Sequence, residues 1–243
     1  MKALVVGGSS GIGLSIVLNL IRKADVDKVY VVDKMDYPNE YADEKVVFSL
    51  CDLSKNDFSV FQRITDIQAL FITAGFGHLK FFQELSEDYI QDSFAVNAVA
   101  PIQIIRIYYD HLLSKENFYC AVMVSIAAHL VSPMFSVYSA AKAALSKFVE
   151  AVNVELDVQG SKNRILEVSP GSLKGTSFTG STSQPELTAS LAKEIIVRSK
   201  KKEELFIPQY DEVFKGVLER YHSDPHKYGI ESYWYKKNEG RTP

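Results

Sequence analysis

A chain of 243 residues with 47% hydrophobic and 23% charged residues suits one globular domain with a single large core. A net charge of −3, and no apolar run near the ~18 residues a membrane span needs, predict neither a nucleic-acid nor a membrane partner. Cys51 and Cys120 sit in apolar runs without ligand spacing, so reduced thiols, no metal site and a cytoplasmic location are expected, with no leader before the first strand.

The first predicted strand, 3–6, runs into Gly7-Gly8-Ser9-Ser10-Gly11-Ile12-Gly13, after which Ile12, Ile16, Val17 and Leu20 recur at helical spacing. A second strand, 28–32, ends at Asp33, and residues 34–45 read as a connection. A third strand, 46–51, ends in Asp52-Leu53 and precedes a helical pattern over 54–66 (Phe58, Phe61, Ile64). A fourth, 69–72, enters the turn Thr73-Ala74-Gly75-Phe76-Gly77. Residues 86–114 read as one helix, with Ser86 at its start, Asn97 mid-run and Pro101 as a kink. A fifth strand, 118–124, ends at Ser125, and a helix over 136–158 carries Tyr138 and Lys142. A sixth strand, 164–168, leads to Pro170-Gly171. The Ser/Thr/Gly-rich stretch 172–184 reads as a loop; Pro185 then opens a helix. A seventh strand at 205–208, a helix at 211–221 and a polar, aromatic tail from 224 complete the chain. Strands alternating with helical periods predict an α/β, single-domain, Rossmann-like doubly wound parallel sheet, about seven strands with helices on both faces.

Tyr138 and Lys142, four apart in an alanine-rich run, share one helix face. A nearby ammonium is expected to lower the phenol from ~10 by roughly one to three units, making it a proton carrier for a substrate oxygen. Strand, glycine turn and helix together suit a dinucleotide pyrophosphate. Asp33, twenty residues past Gly13, suits an adenosine ribose 2′-OH and disfavours a 2′-phosphate. NAD is therefore expected over NADP, although Lys34 follows directly and could meet a phosphate. His129, four past Ser125, either faces the substrate or is structural.

These motifs in this order resemble the short-chain dehydrogenase/reductase family, short (non-extended) branch, from the glycine loop to about Pro208. The resemblance implies that Gly7, Ser9, Ser10, Gly11, Ile12 and Gly13 bind the cofactor with Asp33, Asp52 and Leu53. Ala74, Gly75, Pro170, Gly171, Leu173 and Thr176 complete that set beside Asn97, Tyr138 and Lys142. Asn97, Ser125, Tyr138 and Lys142 match the family's catalytic tetrad. Tyr138 would then exchange the proton, Lys142 lower its pKa and hold the ribose, Ser125 orient the substrate oxygen, and Asn97 hold a water linking Lys142 to solvent. The implied reaction is hydride transfer between nicotinamide and a carbonyl/alcohol carbon of a small alcohol or ketone. Alternatives are an NADPH-dependent 3-oxoacyl thioester reductase and a non-catalytic NAD(H)-sensing protein. The sequence departs from the family pattern at three places: Val6 stands for the usual Thr, Ile72-Thr73 for an Asn-Asn pair, and Gly175 for a Thr that comes one later as Thr176. A homodimer or homotetramer through 86–114 and 136–158 is implied, with Ala140, Ala144, Phe148, Val152 and Leu156 as a second apolar stripe. Residues 172–200 are expected to form a substrate lid, with Phe178 closing it and Gly175 and Gly180 as hinges.

Overall fold

The computed structural model describes residues 1–176, 178 and 183–238. Seven parallel strands form one sheet: β1 (Lys2–Val6), β2 (Lys28–Asp33), β3 (Val46–Leu50), β4 (Ala69–Ile72), β5 (Tyr119–Met123), β6 (Ile165–Val168) and β7 (Leu205–Phe206). Their order is β3-β2-β1-β4-β5-β6-β7, so the winding reverses between β1 and β4. That reversal opens a crevice at the strands' carboxyl ends, where open α/β sheets take ligands.

Strand alternation sorts the core into two layers. Leu4, Val6, Leu70, Ile72 and Val122 face one side, packing with Ile104, Leu145 and Val149. Ala3, Val5, Val29, Val31 and Phe71 face the other, with Ile16, Val17 and Leu20 of α1 (Gly11–Ile21) and Ala192, Ile195 and Ile196 of α7 (Pro185–Lys200). Each fully buried Val, Leu, Ile or Phe side chain among them contributes about 1.5–3 kcal/mol. The first layer's helices are α4 (Ala100–Ile107) and the long α6 (Ser136–Val158).

Four sequence expectations change. The helix over 54–66 shrinks to α2 (Ser59–Gln62). Asn56 adopts φ 55°, and Asp52 and Asp57 spend their carboxylates on the N–H groups of Ser54 and Ser59; local side-chain bonds of this kind compete with helix. The run 86–114 is not one helix but α3 (Glu87–Phe94), a wider π-type turn at Ala95–Val99, α4, and α5 (Tyr109–Leu113). Pro101 has no N–H to give the carbonyl of Asn97 four residues back, and the helix widens beside it. The described part of the tail is helical: α8 (Lys215–Ser223) is followed by α9 (Pro225–Asn238), which Asp224 caps by accepting from the Lys227 N–H at 3.0 Å. Finally, Val152 and Leu156 are buried in the core, so the second stripe of α6 does not run its length; Ala140 and Ala144 are exposed.

Candidate active site

The glycine turn between β1 and α1 is built by close backbone approach. Gly7 has φ +83°, and a Cβ there would lie 2.5 Å from the Ala74 nitrogen after β4. A Cβ on Gly13 would lie 2.0 Å from the Gly7 carbonyl oxygen and 2.5 Å from Thr73 Oγ1. Both positions need glycine, one for backbone conformation and one for space. Thr73 explains how the loop tolerates its departures from the family pattern: its hydroxyl donates toward the carbonyls of Val6 (2.9 Å) and Gly7 (3.1 Å). Ser9 N–H donates to Asp33 Oδ2 at 2.9 Å and Met35 N–H to Oδ1 at 3.0 Å, so Asp33 anchors the loop to the end of β2. Ser10 precedes the helix, whose first turn carries no acid, leaving its positive dipole end uncancelled there. Ile12 packs against the second core layer.

At β3's end, Asp52 is exposed and Leu53 is buried in the core. Asn97, fully buried, brackets the turn after β4: its Nδ2 donates to Phe76 O (2.8 Å) and its Oδ1 accepts from Phe76 N (3.1 Å). A Cβ on Gly75 would meet Asn97 Oδ1 at 2.9 Å and Lys142 Nζ at 3.3 Å, so these three groups converge. The Asn97 side chain is thus committed to the turn.

Ser125, Tyr138 and Lys142 are all nearly buried. Ser125 is near enough to the Tyr138 phenol to favour its charged form, while Lys142 Nζ donates to Met123 O at 2.8 Å and lies 5.9 Å from the Tyr138 ring centroid. Electrostatics differ from the sequence expectation. Burial pushes Tyr138 up to about 12, with Ser125 opposing it only in part. Burial also pushes Lys142 down to about 7. Lys142 does not lower the phenol, because desolvation governs both groups.

Beyond β6, Ile126 N–H donates to Pro170 O at 2.9 Å, joining the Ser125 turn to Pro170-Gly171. A Cβ on Gly171 would touch the Phe214 ring at 2.4 Å. Gly175, with φ +80°, reverses the chain so that Thr176 comes within 3.6 Å of where a Gly11 Cβ would stand; Thr176 Oγ1 donates to Leu173 O at 3.1 Å. Ser183 Oγ accepts the Gly11 N–H at 2.7 Å. The Phe178 ring lies 5.2 Å from Tyr138 and 6.2 Å from Phe135. Gly180, expected as a hinge, lies outside the described residues.

Sequence reasoning missed several neighbours. Phe135, Phe214 and Thr73 had no local signal, since distance in space brings them in. Lys236 of α9 donates to Ser132 Oγ (2.8 Å) and Pro133 O (2.7 Å), holding the tail across the loop before α6. With Val131 and Pro133, α9 residues Gly229, Ile230, Tyr233 and Trp234 line a groove of about 370 Å³. The pair Asp224-Pro225 was the readable sign of that helix. His129 turns toward β6, with Nε2 2.8 Å from Glu167 Oε1.

A parallel sheet of this order, with a glycine turn at its switch point, is a Rossmann-like α/β fold. The chain belongs to the short chain dehydrogenase family, whose model matches residues 1–187. The uncharacterized oxidoreductase TDA5 of Saccharomyces cerevisiae is 28% identical over 186 residues, 73% of this chain and 56% of that protein. A short chain dehydrogenase/reductase of Claviceps purpurea is 26% identical over 182 residues, 70% of this chain and 61% of its own. The match thus spans less than two thirds of these relatives' length. Among solved structures, a short-chain dehydrogenase from Streptomyces avermitilis superposes with a TM-score of 0.76 at 19% identity, covering 99% of both chains. A Burkholderia cenocepacia short chain dehydrogenase in complex with NADP gives 0.75 at 18% identity, over 95% of this chain and 96% of that one. One from Burkholderia phymatum in complex with NAD gives 0.75 at 16%, over 92% and 93%. At these identities the likeness speaks for the fold.

Proposed function

We propose that the protein is an NAD(P)-dependent oxidoreductase that moves a hydride between nicotinamide and a carbonyl/alcohol carbon of a small molecule. The observation that carries this reading is the convergence of Ser125, Tyr138 and Lys142 in a buried cluster beside Gly75, at the carboxyl edge of the sheet. The cradle of Gly7 and Gly13, where Cβ atoms would collide with backbone, fits a pyrophosphate brought close to the main chain. A bound nicotinamide would supply the hydride donor or acceptor; the remaining tasks fall to this chain.

In that reading Tyr138 holds its proton at neutral pH, since its pKa is pushed up to about 12, and is ready to protonate a carbonyl oxygen during reduction. Ser125, close by the same phenol, would share the substrate oxygen with it. Lys142, on the same helix face and next to Gly75, would meet the nicotinamide ribose. Asn97 fixes the turn that passes beneath. Phe178 and Phe135 wall the space beside Tyr138 with aromatic surface.

NAD is the favoured cofactor. Asp33 stands at the end of β2 with its carboxylate turned to the glycine loop, where a ribose 2′-OH would be accepted and a 2′-phosphate repelled. Lys34, the residue that could answer a phosphate, instead places its ammonium 5.8 Å over the Phe76 ring. The test is a panel of alcohols and ketones assayed with NAD(H) and NADP(H) side by side, for the wild type and Asp33→Ala. The expected result is a higher kcat/KM with NAD(H), narrowed in Asp33→Ala. A wild type that prefers NADPH overturns the cofactor assignment, and no turnover across the panel overturns the catalytic one.

A further inference from the structure

A second polar cluster lies among the elements that carry Ser125, Tyr138 and Lys142, and proton transfer does not use it. Glu167 stands in β6, 5% exposed, between the buried aliphatic residues Ile165, Leu166 and Val168. A carboxylate at such a position is costly unless donors surround it. Here they do. Glu167 Oε1 lies 2.8 Å from His129 Nε2 and accepts the Ser169 hydroxyl at 2.7 Å, while Oε2 accepts the Ser146 hydroxyl at 2.8 Å. His129 Nε2 also lies 3.0 Å from Ser169 Oγ. Burial alone would push this carboxyl up, but the three donors outweigh it and leave it below the usual glutamate value. The acceptor is therefore anionic at neutral pH, and His129 Nε2 carries the proton it gives.

The three donors come from three elements. Ser146 is one turn past Lys142 on the same face of α6. His129 closes the turn that Ser125 opens: Ser125 Oγ accepts the Ala127 N–H at 3.1 Å, and His129 N–H donates to Ile126 O at 3.0 Å. Ser169 directly precedes Pro170-Gly171. Beside Tyr138, Ser139 Oγ donates to Ala127 O at 2.6 Å, tying the same turn to α6 from its other end. An aliphatic residue at 167 would pack in β6 without desolvating a charge, so stability does not ask for glutamate here.

We infer that Glu167 is a positioning residue: by holding His129, Ser146 and Ser169 together, it sets the placement of the Ser125 turn against the helix carrying Tyr138 and Lys142. The kinetic arm of its test rests on the hydride-transfer reading above. Fractions of an ångström matter in such a site, where misplacement by about 1 Å can cost on the order of a hundredfold in rate.

The experiment compares wild type, Glu167→Gln, His129→Ala and His129→Gln. Glu167→Gln keeps shape but removes the charge and turns one acceptor oxygen into a donor, so a facing hydroxyl must rotate to accept or a donor is displaced, and the cluster is loosened either way. Three quantities are read: amide hydrogen exchange of residues 126–129, NADH affinity by fluorescence, and kcat on the best substrate of the panel. For Glu167→Gln we expect exchange in 126–129 to quicken about tenfold and kcat to fall about ten- to a hundredfold, with NADH affinity within about threefold. His129→Gln, which keeps a donor, should recover most of the kcat that His129→Ala loses. Unchanged exchange in 126–129, a kcat fall matched by an equal loss of NADH affinity, or His129→Gln no better than His129→Ala overturns the proposal. Should Glu167→Gln fail to fold, the two His129 variants decide, because the His129 side chain is 23% exposed where that of Glu167 is 6%. A wild type without turnover defeats the hydride-transfer reading alone, and the exchange measurement then decides for Glu167.

Discussion

Replacing Lys142 with methionine should separate stability from function. Lys142 is 2% exposed, and its Nζ donates to Met123 O at 2.8 Å. Burial lowers its pKa from 10.5 to about 7. At about 1.4 kcal/mol per pH unit, charging Lys142 costs about 5 kcal/mol more in the folded protein than in the unfolded chain. Between about pH 7 and 10.5 the unfolded chain holds this proton and the folded protein does not, so stability rises with pH across that window. Below about pH 7 both states are charged and the penalty is complete. Methionine fills similar volume without charge, but leaves the Met123 carbonyl without its donor, at about 1–3 kcal/mol. Lys142→Met should therefore be more stable than wild type by about 2–4 kcal/mol near pH 6.5, with the gap closing or reversing by about pH 10. Urea unfolding of both proteins without added cofactor, across this pH range, measures it; other titrating groups cancel in the difference. The same variant should lose turnover and bind NADH more weakly at every pH. A variant less stable than wild type near pH 6.5, or a difference flat in pH, refutes the reasoning that desolvation governs Lys142.

Tyr138→Phe should abolish turnover by about a hundredfold or more while leaving NADH binding nearly intact, since only the transferring hydroxyl is removed; activity retained within about tenfold defeats the proton-transfer role. Ser183→Ala removes the hydroxyl that takes the Gly11 N–H at 2.7 Å, so NADH, which needs that donor for its pyrophosphate, should bind tighter in fluorescence titration; weaker binding would mean that Ser183 assists the cofactor. Phe94 before the π-type turn and Val99 at its end, with Val154 and Val158 on α6, stay exposed as apolar groups, and a homodimer or homotetramer through these helices should sediment at micromolar concentration. A monomer there counts against it.

Much of this protein was legible in its sequence because the signals are local. The apolar runs of β1 and β4, each followed by a turn holding glycine, mark strands, and the order of crossovers follows from their alternation with helices. Gly7, Gly11 and Gly13 announce a close backbone approach, and the four-residue step from Tyr138 to Lys142 dictates a shared helix face. Ser86 as a cap and Pro185 as an opener were readable because capping is decided within one turn. Other features belong to the tertiary structure alone. Pro101 pointed to a kink, but the sequence did not show that Ala95–Val99 would widen with the Asn97 side chain bonded to the backbone of Phe76. The tail helix α9 is anchored by Lys236 reaching Ser132 and Pro133, about a hundred positions earlier in the chain. His129 read as either facing substrate or structural, and Glu167 across the sheet decided it. The direction of the Tyr138 shift reversed, and Lys142 moved down beside it, for a reason of the same kind. Sequence spacing tells which groups are neighbours, whereas a pKa answers to how much water the whole fold excludes, and that is summed over residues far apart in the chain.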